Sequence, residues 1–172
     1  MGTDKALLEW AGGPLAAHVA RAVAGAAGTV KLVGDPVRYA GLGYAVIADA
    51  HPGCGPLGGV EAALRDSAAQ WTLVAACDMP GLTTELCDAL FTAAVASGAS
   101  LLVPVAADGR AEPLCAVWRR DALEAVEQAL AAGVRRMTDM LPRLRHAAWP
   151  IPEMAHFKNL NTPQDWSDHA AR

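Results

Sequence analysis

The sequence predicts an α/β protein, with helices layered on both faces of a largely parallel central sheet, and three observations carry that reading. Short apolar runs alternate with helix-length amphipathic segments along the chain, which is the pattern of successive β–α–β units. The run Trp71-Thr72-Leu73-Val74-Ala75-Ala76 carries no charge, as a strand buried on both faces of a parallel sheet would. The 172 residues are 53% hydrophobic and 19% charged, enough for one domain over 1–172 that buries roughly 70% of its extended-chain surface.

Each element follows from its own residues. Pro14, after Gly12-Gly13, opens a segment with Leu15, His18, Val19, Ala22 and Val23 on one face, so an amphipathic helix with proline in its first turn is expected. Val30 to Val33 reads as a strand closed by the turn Gly34-Asp35-Pro36, and Tyr44 to Ala48 as a second strand ending at Asp49. His51-Pro52-Gly53-Cys54-Gly55-Pro56 must be loop. A helix follows over Leu57 to Ala69, then the uncharged strand Trp71 to Ala76. Thr83 caps a helix reaching Ser97, and Leu101 to Val105 is a strand.

Asp108-Gly109-Arg110 makes a turn before the strand Leu114 to Trp118. Asp121 to Ala132 reads as a helix ended by Gly133, and Arg135 to Leu141 as a short helix stopped by Pro142. Ala147 to Ile151 is a last edge strand beside Pro150 and Pro152. Thr162-Pro163 starts a terminal helix, threonine as cap and proline at the first position. The alternation as a whole reads as Rossmann-like.

Composition narrows the function. A net charge of −4 argues against a general nucleic-acid binder, which would show a basic stripe. Cys54, Cys77, Cys87 and Cys115 form no CxxC pair, so neither a zinc site nor a disulfide framework is indicated. Asp4 and Glu9 stand among the first ten residues with no cationic start before an apolar core, unlike a signal peptide. The least polar window, Leu90 to Ala107, is interrupted by Thr, Ser, Gly and Pro and reads as a helix end plus a strand, not a membrane span. A cytoplasmic protein with reduced thiols is expected.

Four fragments carry chemistry, each near a strand end or a helix start. In Met1-Gly2-Thr3-Asp4-Lys5 the lysine beside a glycine turn is a point charge suited to polyphosphate, or else a solvated surface lysine. Gly55-Pro56-Leu57-Gly58-Gly59 precedes a helix, so a ligand could approach its backbone and free N–H groups, unless it is a plain tight loop. In Cys77-Asp78-Met79-Pro80 the carboxylate lies beyond a strand's carboxyl end, where open α/β sheets bind ligands. It is placed to hold a metal or contact a substrate; capping the next helix is the alternative. Asn159-Leu160-Asn161-Thr162-Pro163 is a polar pair or a helix-capping turn.

Together and in this order the fragments resemble the nucleotidyltransferases that attach a nucleotide to the molybdenum cofactor, most of all the guanylyltransferases. Met1-Gly2-Thr3-Asp4-Lys5-Ala6-Leu7-Leu8 matches the tail of that family's signature. Gly12-Gly13-Pro14-Leu15, the strand end Val46-Ile47-Ala48-Asp49, Gly55 to Gly59, Cys77 to Pro80 and Asn159 to Pro163 follow at suitable intervals. The family's first strand and its Leu-Ala-Gly-Gly loop have no counterpart here. The expectation is therefore a sequence that starts inside the signature and a native chain that is longer. Val33-Gly34-Asp35 also departs from a family in which an asparagine often follows that strand.

The resemblance implies a three-layer α/β/α nucleotidyltransferase that moves GMP from GTP to molybdopterin and releases pyrophosphate. It implies Mg²⁺ held by Asp78, with Lys5 and Asp78 as the catalytic pair. Asp49, Gly55, Pro56, Leu57 and Gly58 would join Lys5 and Asp78 in contacting the nucleotide, and Asn159 and Asn161 would lie on the pterin side. His51, Arg110, Arg135 and Arg136 could meet the pterin phosphate, or be plain solvated side chains. Implied partners are GTP, the pterin cofactor and a transient contact with a molybdoenzyme or cofactor chaperone, with no nucleic acid and no membrane. The alternatives are a CTP-dependent cytidylyltransferase for the same cofactor and a non-catalytic pterin- or nucleotide-binding relative.

Overall fold

The computed structural model describes residues 4–151, 153–157 and 159–160. A two-residue hairpin comes first, β1 (Glu9–Trp10) against β2 (Gly13–Pro14), turning through Ala11 and Gly12, both at positive φ. Helix α1 (Leu15–Ala27) follows, with Pro14 as its N-terminal flank, so the proline stands just outside the helix it was expected to open. Strand β3 (Lys31–Val33) pairs in parallel with β4 (Ala45–Ile47). Between them, the expected Gly34-Asp35-Pro36 turn is the start of a one-turn helix, α2 (Pro36–Tyr39). Asp35 caps it, its carboxylate accepting from the N–H groups of Val37 and Arg38.

Helix α3 (Pro56–Asp66) ends three residues before the expected Ala69, where Ser67 turns extended. Strand β5 (Trp71–Ala75), helix α4 (Thr84–Ser97), strands β6 (Leu101–Val105) and β7 (Cys115–Arg119), helix α5 (Leu123–Ala131) and strand β8 (His146–Pro150) complete the order. Thr83 caps α4, its hydroxyl accepting from the N–H of Leu86. The segment expected as a helix stopped by Pro142 is a 3₁₀ helix, Met137–Arg143, that contains the proline. The terminal helix expected from Thr162 lies outside the described residues.

The larger sheet has the order β5-β7-β6-β8. Strands β6 and β8 are parallel, while β7 is antiparallel to both β5 and β6. Thus β5, β6 and β8 share one direction and β7 alone is reversed. A hairpin return forces this, because the turn at Asp108 to Arg110 brings the chain straight back, whereas α4 carries it over from β5 to β6.

Alternate residues of these strands feed two cores. Leu102, Cys115 and Val117 pack with Val19 and Val23 of α1 and Leu86 and Leu90 of α4. Leu101, Val103, Ala116 and Trp118 pack with Leu57, Val60 and Leu64 of α3 and Val126 and Leu130 of α5. The period of two along a strand makes the three layers.

Strand β5 departs from expectation. Only Leu73 of its five residues is buried, so it is not covered on both faces. The cause lies at its free edge: among the described residues β3 and β5 are each paired on one side only. A cavity of about 410 Å³ lies between them, lined by Leu32 and Val33 from β3, Val74 from β5, Ala16 and Ala20 from α1, and Gly59 from α3.

Candidate active site

Asp78 stands just beyond β5, where the Ala76 N–H still bonds to the Leu114 carbonyl at 2.7 Å before the chain leaves the sheet. Its carboxylate lies 3.9 Å from the Lys5 ammonium, and the two side chains keep 20% and 31% of their surface exposed. The two residues expected to act together are thus brought face to face while remaining open to a ligand. Lys5 is held there by a short 3₁₀ helix, Lys5–Leu7, whose cap is Asp4, accepting from the Ala6 N–H at 3.1 Å.

Asp4 is the residue that sequence reasoning missed. Its second oxygen accepts from the Tyr39 hydroxyl at 2.8 Å and from the Arg38 guanidinium at 3.3 Å, tying α2 to the Lys5 turn. The position immediately before a turn was the available signal. Burial, then the Asp4 hydrogen bond and charge, raise the Tyr39 pKa. The Cys77 thiol is pushed up to about 11, first by burial and then by the charges of Asp78 and Asp4. It is therefore no nucleophile at neutral pH.

The Leu160 N–H donates to the Asp78 carbonyl at 3.0 Å, so the segment 159–160 docks on the Asp78 loop. The Asn159 side-chain oxygen is buried without a hydrogen-bond partner among the described residues. Asn161 lies outside the described residues.

The Asp49 group is built differently. Asp49 turns back on its own loop, accepting from the His51 N–H at 2.7 Å. A Cβ on Gly58 would stand 2.8 Å from the Asp49 carboxylate and 3.2 Å from the His51 Cβ. The bare backbone of Gly58 therefore admits the chain's own loop. Gly55 has φ +70 and ψ −163, a conformation open essentially to glycine, and directs the chain into α3 with Pro56 at the first helical turn. Pro56 and Asp78 line the same cavity.

The Leu57 side chain is fully buried in the core. Arg110 and Arg135 are engaged elsewhere. Arg110 pairs with Glu112 at 3.3 Å, and Arg135 donates to the carbonyls of Leu130 and Val134. His51 faces the buried Glu61 carboxylate at 3.8 Å.

A partly exposed carboxylate beside a lysine, past a strand's carboxyl end, is an arrangement that can seat a polyphosphate and its counter-cation. The MobA-like NTP transferase domain family matches residues 1–147. The chain belongs to that family.

This MobA-like domain is 36% identical over 169 residues to a molybdenum cofactor guanylyltransferase of Cereibacter sphaeroides, covering 95% of this chain and 85% of the relative. It is 37% identical to the molybdenum cofactor guanylyltransferase of Rhodopseudomonas palustris BisB5, covering 95% of this chain and 83% of that one. Among solved structures it resembles molybdopterin-guanine dinucleotide biosynthesis protein A of Archaeoglobus fulgidus, with TM-score 0.82, 27% identity and coverage of 97% and 89%. The fold alone is shared with 2-C-methyl-D-erythritol 4-phosphate cytidylyltransferase of Thermus thermophilus, at TM-score 0.73, 20% identity and coverage of 97% and 92%. The MobA-like domain is a nucleotidyltransferase of Rossmann-like fold. Among its described residues no helix is long and apolar enough to cross a membrane.

Proposed function

We propose that this nucleotidyltransferase moves GMP from GTP to the terminal phosphate of molybdopterin, giving the guanine dinucleotide cofactor and pyrophosphate. The observation that carries the reading is the Lys5–Asp78 approach, 3.9 Å apart and open to solvent. Relatives of that activity, aligned along nearly the whole chain, supply the substrate classes. In the transfer a pterin phosphate oxygen attacks the GTP α-phosphorus. The new P–O bond forms as the bond to pyrophosphate breaks, in line, and the electron pair leaves with pyrophosphate.

A phosphate nucleophile needs no strong base, so the residues act by positioning and by balancing charge. Lys5 offers its ammonium to the phosphates. Asp4 and Tyr39 hold the Lys5 turn in place. Asn159, with a buried oxygen lacking a partner among the described residues, would serve the pterin side. The backbone from Gly55 into α3 lies along the nucleotide, and Asp49 holds the loop that packs on Gly58.

Asp78 is the residue that would hold Mg²⁺. Among the described residues no three or more His, Cys, Asp or Glu side chains gather into a metal site. One accessible carboxylate suits a cation that takes its remaining ligands from substrate phosphates and water. When bound, the cation neutralises phosphate charge. The product would pass to a molybdoenzyme or a cofactor chaperone through a transient contact.

The test is transfer of α-phosphate label from GTP or CTP to molybdopterin in the presence of Mg²⁺. The proposal expects labelled dinucleotide from GTP, little from CTP and at least about 100-fold less with Asp78→Ala. Preference for CTP, or undiminished transfer by Asp78→Ala, would overturn it.

A further inference from the structure

The loop Asp78-Met79-Pro80-Gly81 belongs to no helix or strand, yet each of its four carbonyls accepts a hydrogen bond. The Asp78 carbonyl accepts from the Leu160 N–H at 3.0 Å, and that of Met79 from the Leu82 N–H at 3.2 Å. The Pro80 carbonyl lies 3.0 Å from His18 Nε2, and the Gly81 carbonyl 2.8 Å from His156 Nδ1. Two of the four partners are therefore imidazoles, reaching in from separate elements. His18 stands on α1, with Trp10 of the β1–β2 hairpin edge-on to its ring at 6.4 Å. His156 stands in the short 3₁₀ turn Met154–Phe157, just before the segment that docks on Asp78.

A carbonyl can only accept, so each contacting nitrogen carries the proton. His18 is thereby the Nε2–H form at this contact and His156 the Nδ1–H form. The Met79 side chain is fully buried under the loop, so the loop is fixed from below by packing and at its carbonyls by hydrogen bonds. Outer groups that fix a ligating residue tune its metal affinity, and losing one commonly weakens binding by about tenfold or more.

We propose that His18 and His156 are positioning residues, an imidazole clamp on the Pro80 and Gly81 carbonyls that sets the Asp78 carboxylate for its divalent cation. The clamp deepens the assignment of Asp78 above and rests on it. It also ties cation affinity to the 159–160 segment, because His156 and Leu160 grip the same loop. Neither imidazole touches substrate or cation, and neither is a catalytic residue.

The two nitrogens predict opposite rescue patterns. A Gln amide can reach the position of Nε2 and an Asn amide that of Nδ1, so His18→Gln and His156→Asn keep a donor near its place, while His18→Asn and His156→Gln do not. The experiment is calorimetric titration of Mn²⁺ into the full chain at saturating GTP, with circular dichroism confirming the fold of each variant. Weakening of about tenfold or more, the scale of lost supporting contacts, is expected for His18→Ala, His156→Ala, His18→Asn and His156→Gln, with near-recovery in His18→Gln and His156→Asn. If Asp78→Ala abolishes Mn²⁺ binding while every histidine variant binds as wild type, the clamp is wrong and the Asp78 assignment stands. If Asp78→Ala itself binds Mn²⁺ normally, the Asp78 assignment fails, and the clamp with it. Should an alanine variant fail to fold, the Gln/Asn pair decides: equal affinities for His18→Gln and His18→Asn, and likewise for the His156 pair, would overturn the clamp.

Discussion

The β3–β4 pair and the four-stranded sheet both bring site residues to their ends, but they are secured by different forces. In β7 the residues Cys115, Ala116, Val117 and Trp118 are all at 0% exposure. Strands β3 and β4 contain no buried residue, and nor does α2 between them. Polar contacts support that half instead: Asp4 with Tyr39 and Arg38, the Asp35 cap, and Lys31 with Asp66 at 2.7 Å. Asp78 inherits the stiffness of a packed sheet and a loop whose carbonyls are all bonded. Lys5 and Asp49 belong to turns that part-buried hydrogen bonds hold in place. On the proposed reading, a rigid carboxylate faces a lysine and a loop on the less tightly packed half, and segments of low stability open locally.

The largest expected effect lies on the rigid side. Asp78→Ala should lower transfer about 100- to 1,000-fold, the scale of removing one charge-stabilising group, with an unchanged unfolding midpoint. Transfer within a few fold of wild type would break the comparison at its centre. Lys5→Ala should weaken GTP binding more modestly, and an unchanged GTP affinity would remove the lysine from the phosphate site.

Stability divides the halves next. Leu101→Ala, at a fully buried position, should cost about 2–5 kcal/mol in urea unfolding. Val37→Ala on α2, where the side chain is 87% exposed, should stay within about 0.5 kcal/mol. Similar losses at the two positions would contradict the division. Tyr39→Phe, which removes one part-buried hydrogen bond to Asp4, should cost about 1 kcal/mol. It should speed hydrogen exchange in α2 while leaving β7 untouched.

The smallest effect is chemical. A thiol pushed up to about 11 by burial and by the Asp78 and Asp4 carboxylates is protonated at pH 8. Alkylation of Cys77 should therefore be slow at pH 8 and rise about tenfold per pH unit toward that value. Asp78→Asn removes one of those charges and should bring the rise to lower pH. No shift between the two proteins would mean that the carboxylate does not face the thiol.

The sequence displayed whatever is written in local pattern, and it hid whatever depends on partners. The helices α1, α3, α4 and α5 and the strands β3 to β8 are legible because each has its own apolar spacing and stop signals, such as Thr83 before α4 and Gly133 after α5. The β1–β2 hairpin was not legible, since two-residue strands have no period to read. The reversal of β7 was hidden because alternation marks a strand and not its direction. Strand β5 reads as buried from its composition, yet its exposure is set by the absence of a described neighbour on one edge.

At the proposed site, the fragments around Asp78 and Lys5 single out two residues that the fold brings within 3.9 Å. The burial of Leu57 was not legible, because a motif residue next to a glycine turn can still point into the core. The roles of His18 and His156 rest on backbone carbonyls some sixty to seventy-five residues away in sequence, and no local pattern encodes such a contact.

The most direct test is a crystal of the protein grown with GTP and Mn²⁺, examined for anomalous scattering. The account predicts a metal peak within about 2–2.3 Å of an Asp78 carboxylate oxygen, a coordination distance for a hard cation, with triphosphate density reaching Lys5. A peak on Asp49 or Glu61, or triphosphate bound with no metal at Asp78, would contradict it.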